Sequence, residues 1–184
     1  ETLTWFGLKS DMTVVEIYPG GGWYTEILAP FLKDKGKYYA ANFDSQSSVR
    51  FLSEGAKKFK DKMASQLNLY ENVIITELAP TRKVAIAPDE SADIILTFRN
   101  IHNWMDAGYV DDVFATMYKA LKPGGILGLV EHRGNPAQQQ DKRAKSGYVN
   151  EDYTIAIAEK AGFKLVEKSQ INANPKDTKD YPKG

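Results

Sequence analysis

The chain has two histidines, and each follows closely on a short apolar segment. His102 lies shortly after the apolar segment 92–98, and His132 lies shortly after the segment 126–130. An imidazole with an ordinary pKa of about 6.5 can accept a proton from a hydroxyl or an amine at neutral pH. His102 and His132 are therefore candidate general bases.

Three polar residues, Asn100, Asn103 and Glu131, lie beside these histidines in the sequence. The two amides are suited to orient an amine or a hydroxyl, and we expect Asn103 to do so in catalysis. Glu131 is expected to steady His132 or to bind a cationic substrate. A transition metal held by His102, Glu131 and His132 is an alternative, since imidazole and carboxylate suit several such metals. No histidines are spaced one helical turn apart, so we predict no metal.

A glycine run, Gly20-Gly21-Gly22, follows the apolar segment 12–18 and precedes a helical pattern. Glycine lets backbone N–H groups approach a ligand, and the N-terminus of the following helix favours negative charge. A nicotinamide-binding fingerprint requires Gly-x-Gly-x-x-Gly, but Thr25 stands where the third glycine belongs. A nicotinamide-dependent oxidoreductase therefore stays an alternative with a partial match.

Glu16 lies inside the predicted first strand, just before this glycine run. A carboxylate in a strand must be solvated or paired, because burying it alone is costly. We expect Glu16 to hold the glycine loop or to accept a hydrogen bond from a cationic ligand.

Short apolar segments alternate with longer amphipathic ones along the chain. The pattern predicts strands and helices in an α/β fold, a doubly wound, mainly parallel sheet with helices on both faces. In such a sheet, ligands bind at the carboxyl ends of the strands where the strand order reverses. The predicted strands are 12–18, 37–43, 72–77, 92–98, 126–130 and 163–171, with a possible short strand at 83–86. The predicted helices are 23–32, 45–68, 107–121 and 150–161.

The composition is typical of one globular domain, which we place over residues 1–184. Hydrophobic residues make up 42% of the 184 residues and charged residues 26%. The absence of cysteine excludes disulfides and thiolate catalysis. With 24 basic and 24 acidic residues, the charge gives no argument for nucleic acid as a partner. No apolar run approaches the roughly 20 residues of a membrane span.

The residues around the glycine run resemble the first motif of class I S-adenosylmethionine-dependent methyltransferases. In Val14-Val15-Glu16-Ile17-Tyr18-Pro19-Gly20-Gly21-Gly22, two apolar residues precede an acid, an apolar residue and the glycine-rich turn. Gly20 and Gly22 match the second and third glycines of the motif, and Tyr18 replaces the first. Leu121-Lys122-Pro123-Gly124-Gly125 also looks like this family, and the resemblance covers residues 13 to about 171.

This resemblance implies a Rossmann-like fold, S-adenosylmethionine as cofactor and methyl transfer. The compact single domain favours a small-molecule acceptor. The family's cofactor contacts would fall on Glu16, Tyr18, the glycines Gly20, Gly21 and Gly22, and Asn100, with Asp44 as the acid that binds the ribose hydroxyls. The ring of Tyr18 implies an altered path for the loop and motivates a second alternative, a non-catalytic nucleotide-binding module. The family sheet ends in a reversed strand that this chain is expected to lack.

Segments 19–30 and 98–104 look more narrowly like a bacterial group of predicted methyltransferases of unassigned substrate. Members of that group often carry an exported-type N-terminus. The cofactor favours the cytoplasm and the group favours export, so both compartments stay open, as does the oligomeric state.

Overall fold

Five parallel strands form the central sheet in the computed structural model, which describes residues 1–80 and 85–184. Their spatial order is β3-β2-β1-β4-β5, so the chain reverses its direction of progress between β1 and β4. That reversal is the switch point at which α/β sheets bind ligands. The predicted parallel sheet is thus confirmed. The strands are β1 (Thr13–Ile17), β2 (Lys37–Asn42), β3 (Val73–Glu77), β4 (Ala92–Phe98) and β5 (Leu121–Val130).

Helices cover both faces of the sheet, as predicted. On β1, Val14 packs in one apolar cluster with Leu28 and Phe59, whereas Val15 packs in another with Phe114. Both clusters are buried, which explains why a central strand such as β4 is apolar on both of its faces. The helices are α1 (Thr2–Trp5), α2 (Thr25–Leu32), α3 (Arg50–Ser65), α4 (Leu67–Tyr70), α5 (Ile101–Ala107), α6 (Val110–Ala120) and α7 (Glu151–Ala161).

The predicted sixth strand is wrong, because residues 163–171 form no strand. Leu165 and Val166 are 51% and 83% exposed, so this alternating segment has no sheet neighbour to cover it. Alternation gives a strand only where another strand supplies backbone partners. The segment instead runs beside β5, tethered by hydrogen bonds from Arg133 to Ser169 and Gln170. An open groove of about 1970 Å³ lies along this edge of the sheet.

The buried face of α2 differs from the predicted one. The sequence pattern predicts one apolar face with Trp23, Ile27, Leu28 and Phe31. Leu28 is buried, but the exposed fractions of Trp23, Ile27 and Phe31 are 67%, 44% and 46%. The helix packs instead through Leu28 and the residues that share its face, Thr25, Ala29 and Leu32. These positions follow the i, i+3, i+4, i+7 spacing of a helix that covers a sheet.

Other predicted helices are shifted or divided. The predicted helix 45–68 is divided into α3 and α4, and 107–121 shortens to α6. The helix predicted over 150–161 is α7, ended by Gly162 in the left-handed conformation. None of the helices in the described part of the chain combines the length and apolarity needed to cross a membrane.

Two short predictions concern connections. The Lys122-Pro123-Gly124-Gly125 sequence predicts a turn, but in the structure it forms a bulge within β5, because Ala92 pairs with Leu121 and Ile94 with Ile126. In the predicted short strand 83–86, residues 83 and 84 lie outside the described residues, and the remaining two are not in a strand.

Candidate functional site

The glycine loop turns the chain from β1 towards α2 at the switch point. The N–H of Gly22 donates to the carbonyl of Pro19 at 2.8 Å, and Gly20 and Gly22 have φ of 57° and 78°. A Cβ on Gly20 or Gly21 would meet no heavy atom within 4 Å, whereas one on Gly22 would lie 3.3 Å from the ring of Phe59. Gly20 and Gly21 therefore leave open space beside the backbone, and Gly22 permits close packing on α3.

Lys62 of α3 holds this loop through a hydrogen bond and an ion pair. Its Nζ donates to the carbonyl of Gly21 at 2.8 Å and pairs with Glu26 of α2 at 2.5 Å. The sequence did not single out Lys62, since only the fold brings α3 to the loop. Phe59 and Met63 are buried on the same helix, so Lys62 lies at the border of its core-facing surface.

Glu16 is buried beneath the loop, with 2% of its surface exposed. Its carboxylate accepts hydrogen bonds from the hydroxyl of Thr25, at 3.2 Å, and from the phenol of Tyr38. Burial raises the pKa of Glu16 to about 7, and the hydrogen bonds from Tyr38 and Thr25 oppose that rise. Because Thr25 is the first residue of α2, this arrangement favours the predicted holding role for Glu16.

Tyr18 occupies the left-handed region with φ of 51°, which costs a non-glycine residue about 1–2 kcal/mol. Its ring packs against Phe43 at 4.6 Å between centroids and edge-on to Trp104 at 6.1 Å. Its hydroxyl donates to the carbonyl of Leu78 at 3.0 Å, which links the ends of β1 and β3. The backbone of Tyr18 therefore adopts a conformation that is usual for glycine, and this conformation directs the ring into the space between Phe43 and Trp104.

Asp44 lies just beyond β2, at the same edge as Tyr18. Its Oδ1 accepts a hydrogen bond from the N–H of Gln46 at 2.9 Å, and the residue is half-buried. Burial raises the pKa of Tyr18, and Tyr109 and Asp44 both add to that rise, which places the carboxylate within electrostatic reach of the phenol. Asp44 therefore borders the space next to the glycine loop, where the ribose-binding acid was predicted.

Asn100 joins β1 and β4 where the strand order reverses. Its Nδ2 donates to the carbonyl of Ile17 at 3.1 Å and to the hydroxyl of Thr97 at 3.2 Å. The amide donor that was predicted to bind cofactor is therefore engaged by the protein. Nearby, the buried Nε1 of Trp104 has no hydrogen-bond partner in the described part of the chain. A donor left in this state is costly unless a ligand or a water satisfies it.

Glu131 organises the opposite side of the site, at the end of β5. One carboxylate oxygen accepts from the N–H groups of Ile101 and His102 at 2.7 and 3.3 Å, which caps the first turn of α5. The other lies 3.0 Å from Nδ1 of His102 and accepts from the N–H of His132 at 2.8 Å. When Nδ1 carries the proton and donates it to Glu131, Nε2 of His102 is the free acceptor.

The ring of His132 lies 5.8 Å from that of His102. Burial lowers the pKa of His132, and the neighbouring His102 and Arg99 add to this while Glu131 and Asp177 oppose it. The lowered pKa favours the neutral form of the His132 imidazole. A Cβ on Gly184 would lie 2.9 Å from Cδ2 of His132, so the end of the described chain packs on this ring.

Of the four predicted catalytic residues, His102, His132 and Glu131 lie together, whereas the side chain of Asn103 forms no hydrogen bond to them. Glu131 brings the two histidines together, but it contacts the ring of His102 and only the backbone of His132, the reverse of the expected pairing. Asn103 is exposed on α5, one residue beyond His102. In the described part of the chain, no group of three or more His, Cys, Asp and Glu side chains is arranged to hold a metal ion.

Arg99, like Tyr18, has a left-handed backbone conformation, with φ of 59°. Its N–H donates to the carbonyl of Val130 at 2.7 Å, which extends the pairing of β4 and β5 by one residue before the chain turns into α5. Strain of this kind is concentrated at functional positions in proteins. The sequence alone favours a structural ion pair for Arg99, but no acidic side chain pairs with it in the described part of the chain.

The arrangement of strands and helices is shared with solved structures. An S-adenosylmethionine-dependent methyltransferase from Aquifex aeolicus is 22% identical, over 90% of this chain and 79% of that one, with a TM-score of 0.67. The chain has the class I methyltransferase fold. An arsenic(III) S-adenosylmethionine methyltransferase from Chlamydomonas reinhardtii is 16% identical, over 85% and 52% of the two chains, with a TM-score of 0.60.

A possible exported protein from Bordetella parapertussis is also 16% identical, over 86% of this chain and 57% of that one, with a TM-score of 0.57. No protein-family model matches the chain, and no curated protein matches it. At these identities the likeness establishes the fold, and the chemistry has to be argued from the site.

The residues at the switch point fit S-adenosylmethionine. Gly20 and Gly21 leave the loop backbone open to a ligand, and Asp44 offers acceptors for ribose hydroxyls. The ring of Tyr18, which is only partly buried beside the loop, is of the aromatic type that attracts a sulfonium cation.

Proposed function

We propose that this protein is an S-adenosylmethionine-dependent methyltransferase that acts on a small molecule with a protic nucleophile. The observation that carries the proposal is the open glycine loop at the switch point, joined through Asn100 to the helix that bears His102. The cofactor supplies a methyl group on a sulfonium, from which a nucleophile displaces the thioether. The chain's own task is to hold and deprotonate that nucleophile.

His102 is the general base in this proposal, and Glu131 is its positioning residue. Glu131 fixes the tautomer of His102 by accepting from Nδ1, which leaves Nε2 free to take the proton of a hydroxyl or an amine. When bound, S-adenosylmethionine would supply the methyl carbon and would leave as the neutral thioether, so the acceptor has to lose a proton. The acceptor's proton goes to Nε2 of His102, and Glu131 stabilises the resulting imidazolium.

Cofactor binding is tested first, by calorimetric titration with S-adenosylmethionine and S-adenosylhomocysteine, with NADH and NADPH as controls. We expect saturable one-to-one binding of the two sulfur nucleotides only. Binding of the nicotinamide nucleotides instead would support the oxidoreductase alternative and overturn the proposal.

Turnover is tested by transfer of labelled methyl groups to a panel of hydroxyl, amine and thiol acceptors. We expect His102→Gln to lower kcat by about 10²–10⁴-fold, the usual contribution of a general base. Glu131→Gln should lower kcat less, and both variants should bind S-adenosylhomocysteine as the wild type does. The exposed Asp106→Asn on the same helix is the matched control.

An equal loss of turnover and cofactor affinity in His102→Gln would show that the histidine is structural. Tight cofactor binding without turnover on any acceptor would favour the non-catalytic module.

The cofactor and the structural neighbours point to different compartments for the protein. S-adenosylmethionine is made in the cytosol, which favours a cytoplasmic enzyme, whereas the exported name of the Bordetella protein favours the alternative. Fractionation of cells that express the natural gene separates the two.

A further inference from the structure

Arg99 places a guanidinium at the carboxyl edge of the sheet, in the groove that His132 also lines. Its side chain is exposed, and no acidic side chain pairs with it in residues 1–80 and 85–184. Arg133, one residue beyond His132, lines the same groove but pairs with Glu151 at 3.1 Å. Arg99 is thus the guanidinium of this groove that is available to an anion.

An aromatic surface borders Arg99 in the same groove. The rings of Tyr24 and Phe98 stack with their centroids 3.7 Å apart and their planes at 10°. Trp23 packs edge-on to Tyr24 at 4.7 Å and is 67% exposed, although it lies next to the glycine loop. Flat aromatic faces left exposed in a groove are suited to bind a planar apolar ring.

The carboxylate of Glu131 does not neutralise Arg99. Both of its oxygens are engaged by α5 and by the two histidines, four contacts in all. The guanidinium contributes to the lowered pKa of His132, after burial and the neighbouring His102, so its charge reaches the histidine pair. One groove therefore joins the guanidinium of Arg99, an aromatic wall and the imidazole of His132, whose ring lies 5.8 Å from that of the proposed base His102.

We propose that the methyl acceptor is an aromatic carboxylate that carries a hydroxyl or an amine. Arg99 binds the carboxylate through its planar fork, which matches two carboxylate oxygens at once. Trp23 and Tyr24 contact the aromatic ring, and the hydroxyl or amine faces the histidine pair. This inference names the acceptor class and rests on the methyl transfer proposed above.

The test uses the full chain and begins with the affinity for S-adenosylhomocysteine, measured alone. Protein saturated with that nucleotide is then titrated with 3- and 4-hydroxybenzoate and with the matching uncharged hydroxybenzamides. We expect at least one acid to bind about tenfold or more tightly than its amide, as a charge-assisted contact predicts.

Arg99→Gln replaces one non-glycine residue by another, so the left-handed backbone at this position is no more strained than in the wild type. We therefore expect the variant to fold. It should reduce the affinity for the acid to that for the amide and leave the nucleotide affinity unchanged. The matched control Arg133→Gln should keep the preference for the acid. Equal affinity for acid and amide, a preference that survives Arg99→Gln, or no binding of any probe would overturn the inference. Failure of S-adenosylhomocysteine to bind would instead overturn the proposed function on which it rests.

Discussion

Glu16 is a carboxyl group in a strand with apolar neighbours, kept there by two hydroxyl donors. Its main partner, Tyr38, is 22 residues away in the sequence and reaches it only because β1 and β2 pair side by side. The sequence could show that Glu16 needed a partner. It could not show which residue that partner is, because the pairing depends on the register of two strands.

The raised pKa of Glu16 links the stability of the fold to pH. The folded state holds the proton up to about pH 7, whereas the unfolded chain releases it near the ordinary value of 4.5. Stability from this group is therefore lost as the pH rises from about 4.5 to 7, by roughly 3 kcal/mol. We expect Glu16→Gln to gain stability relative to the wild type over that interval, as measured by urea unfolding at pH 4.5 and 7.5.

The exposed acid Asp34, replaced by Asn, is the control for this experiment, since it should leave the wild-type pH dependence in place. Parallel pH dependences for Glu16→Gln and the wild type would show that the pKa of Glu16 is the same in the folded and the unfolded protein.

At the scale of elements, the helix α5 shows why part of the site was not predictable. Ile101, Trp104 and Met105 are buried at helical spacing, but seven residues contain too few turns for a periodic pattern to stand out. Its first turn is capped by Glu131, which lies just beyond β5 and thirty residues away in the sequence. The five strands were predictable because each contains a short run rich in apolar residues, and the central strand β4 is almost entirely buried.

Within the glycine loop, Gly21 is expected to matter for ligand binding and Gly22 for stability. Gly21→Ala should leave the free energy of unfolding within about 0.5 kcal/mol of the wild type, because its Cβ meets open space. It should weaken S-adenosylhomocysteine binding, since that space is where the ligand approaches the backbone. Calorimetric titration and urea unfolding of the same preparation measure both effects.

Gly22→Ala is the matched variant, with the opposite expectation. Its positive φ and the contact with Phe59 should cost about 1–3 kcal/mol of stability. A Gly21→Ala protein that binds the nucleotide normally would remove the loop from the cofactor site.

At the scale of the whole molecule, the sheet presents its switch point on one side and an uncovered edge strand on the other. The glycine loop, Asp44 and the His102–Glu131 pair all lie at the carboxyl ends of strands, as the alternation of elements predicted. The edge at β5 was not predictable in the same way. Residues 163–171 have the pattern of a strand, and whether a strand forms depends on a neighbour that no local pattern reveals.

Ligand binding to the folded state should raise the thermal stability of the whole domain. At a ligand concentration of 100 times the Kd, the folded state gains about 2.7 kcal/mol. For a chain of this size we expect the Tm to rise by about 5–10 °C with S-adenosylhomocysteine and to stay unchanged with NADH. Differential scanning fluorimetry measures this, and an equal rise with both nucleotides would contradict a selective site.

The two imidazoles lie 5.8 Å apart, and the chain has no third. Isotope labelling of histidine alone would therefore give a magnetic resonance spectrum whose every ring signal comes from the proposed catalytic pair. Tautomer, protonation and the approach of an acceptor would each be read at atomic positions without mutation and without background. Because the chain has only two histidines, their ring signals report directly on the site.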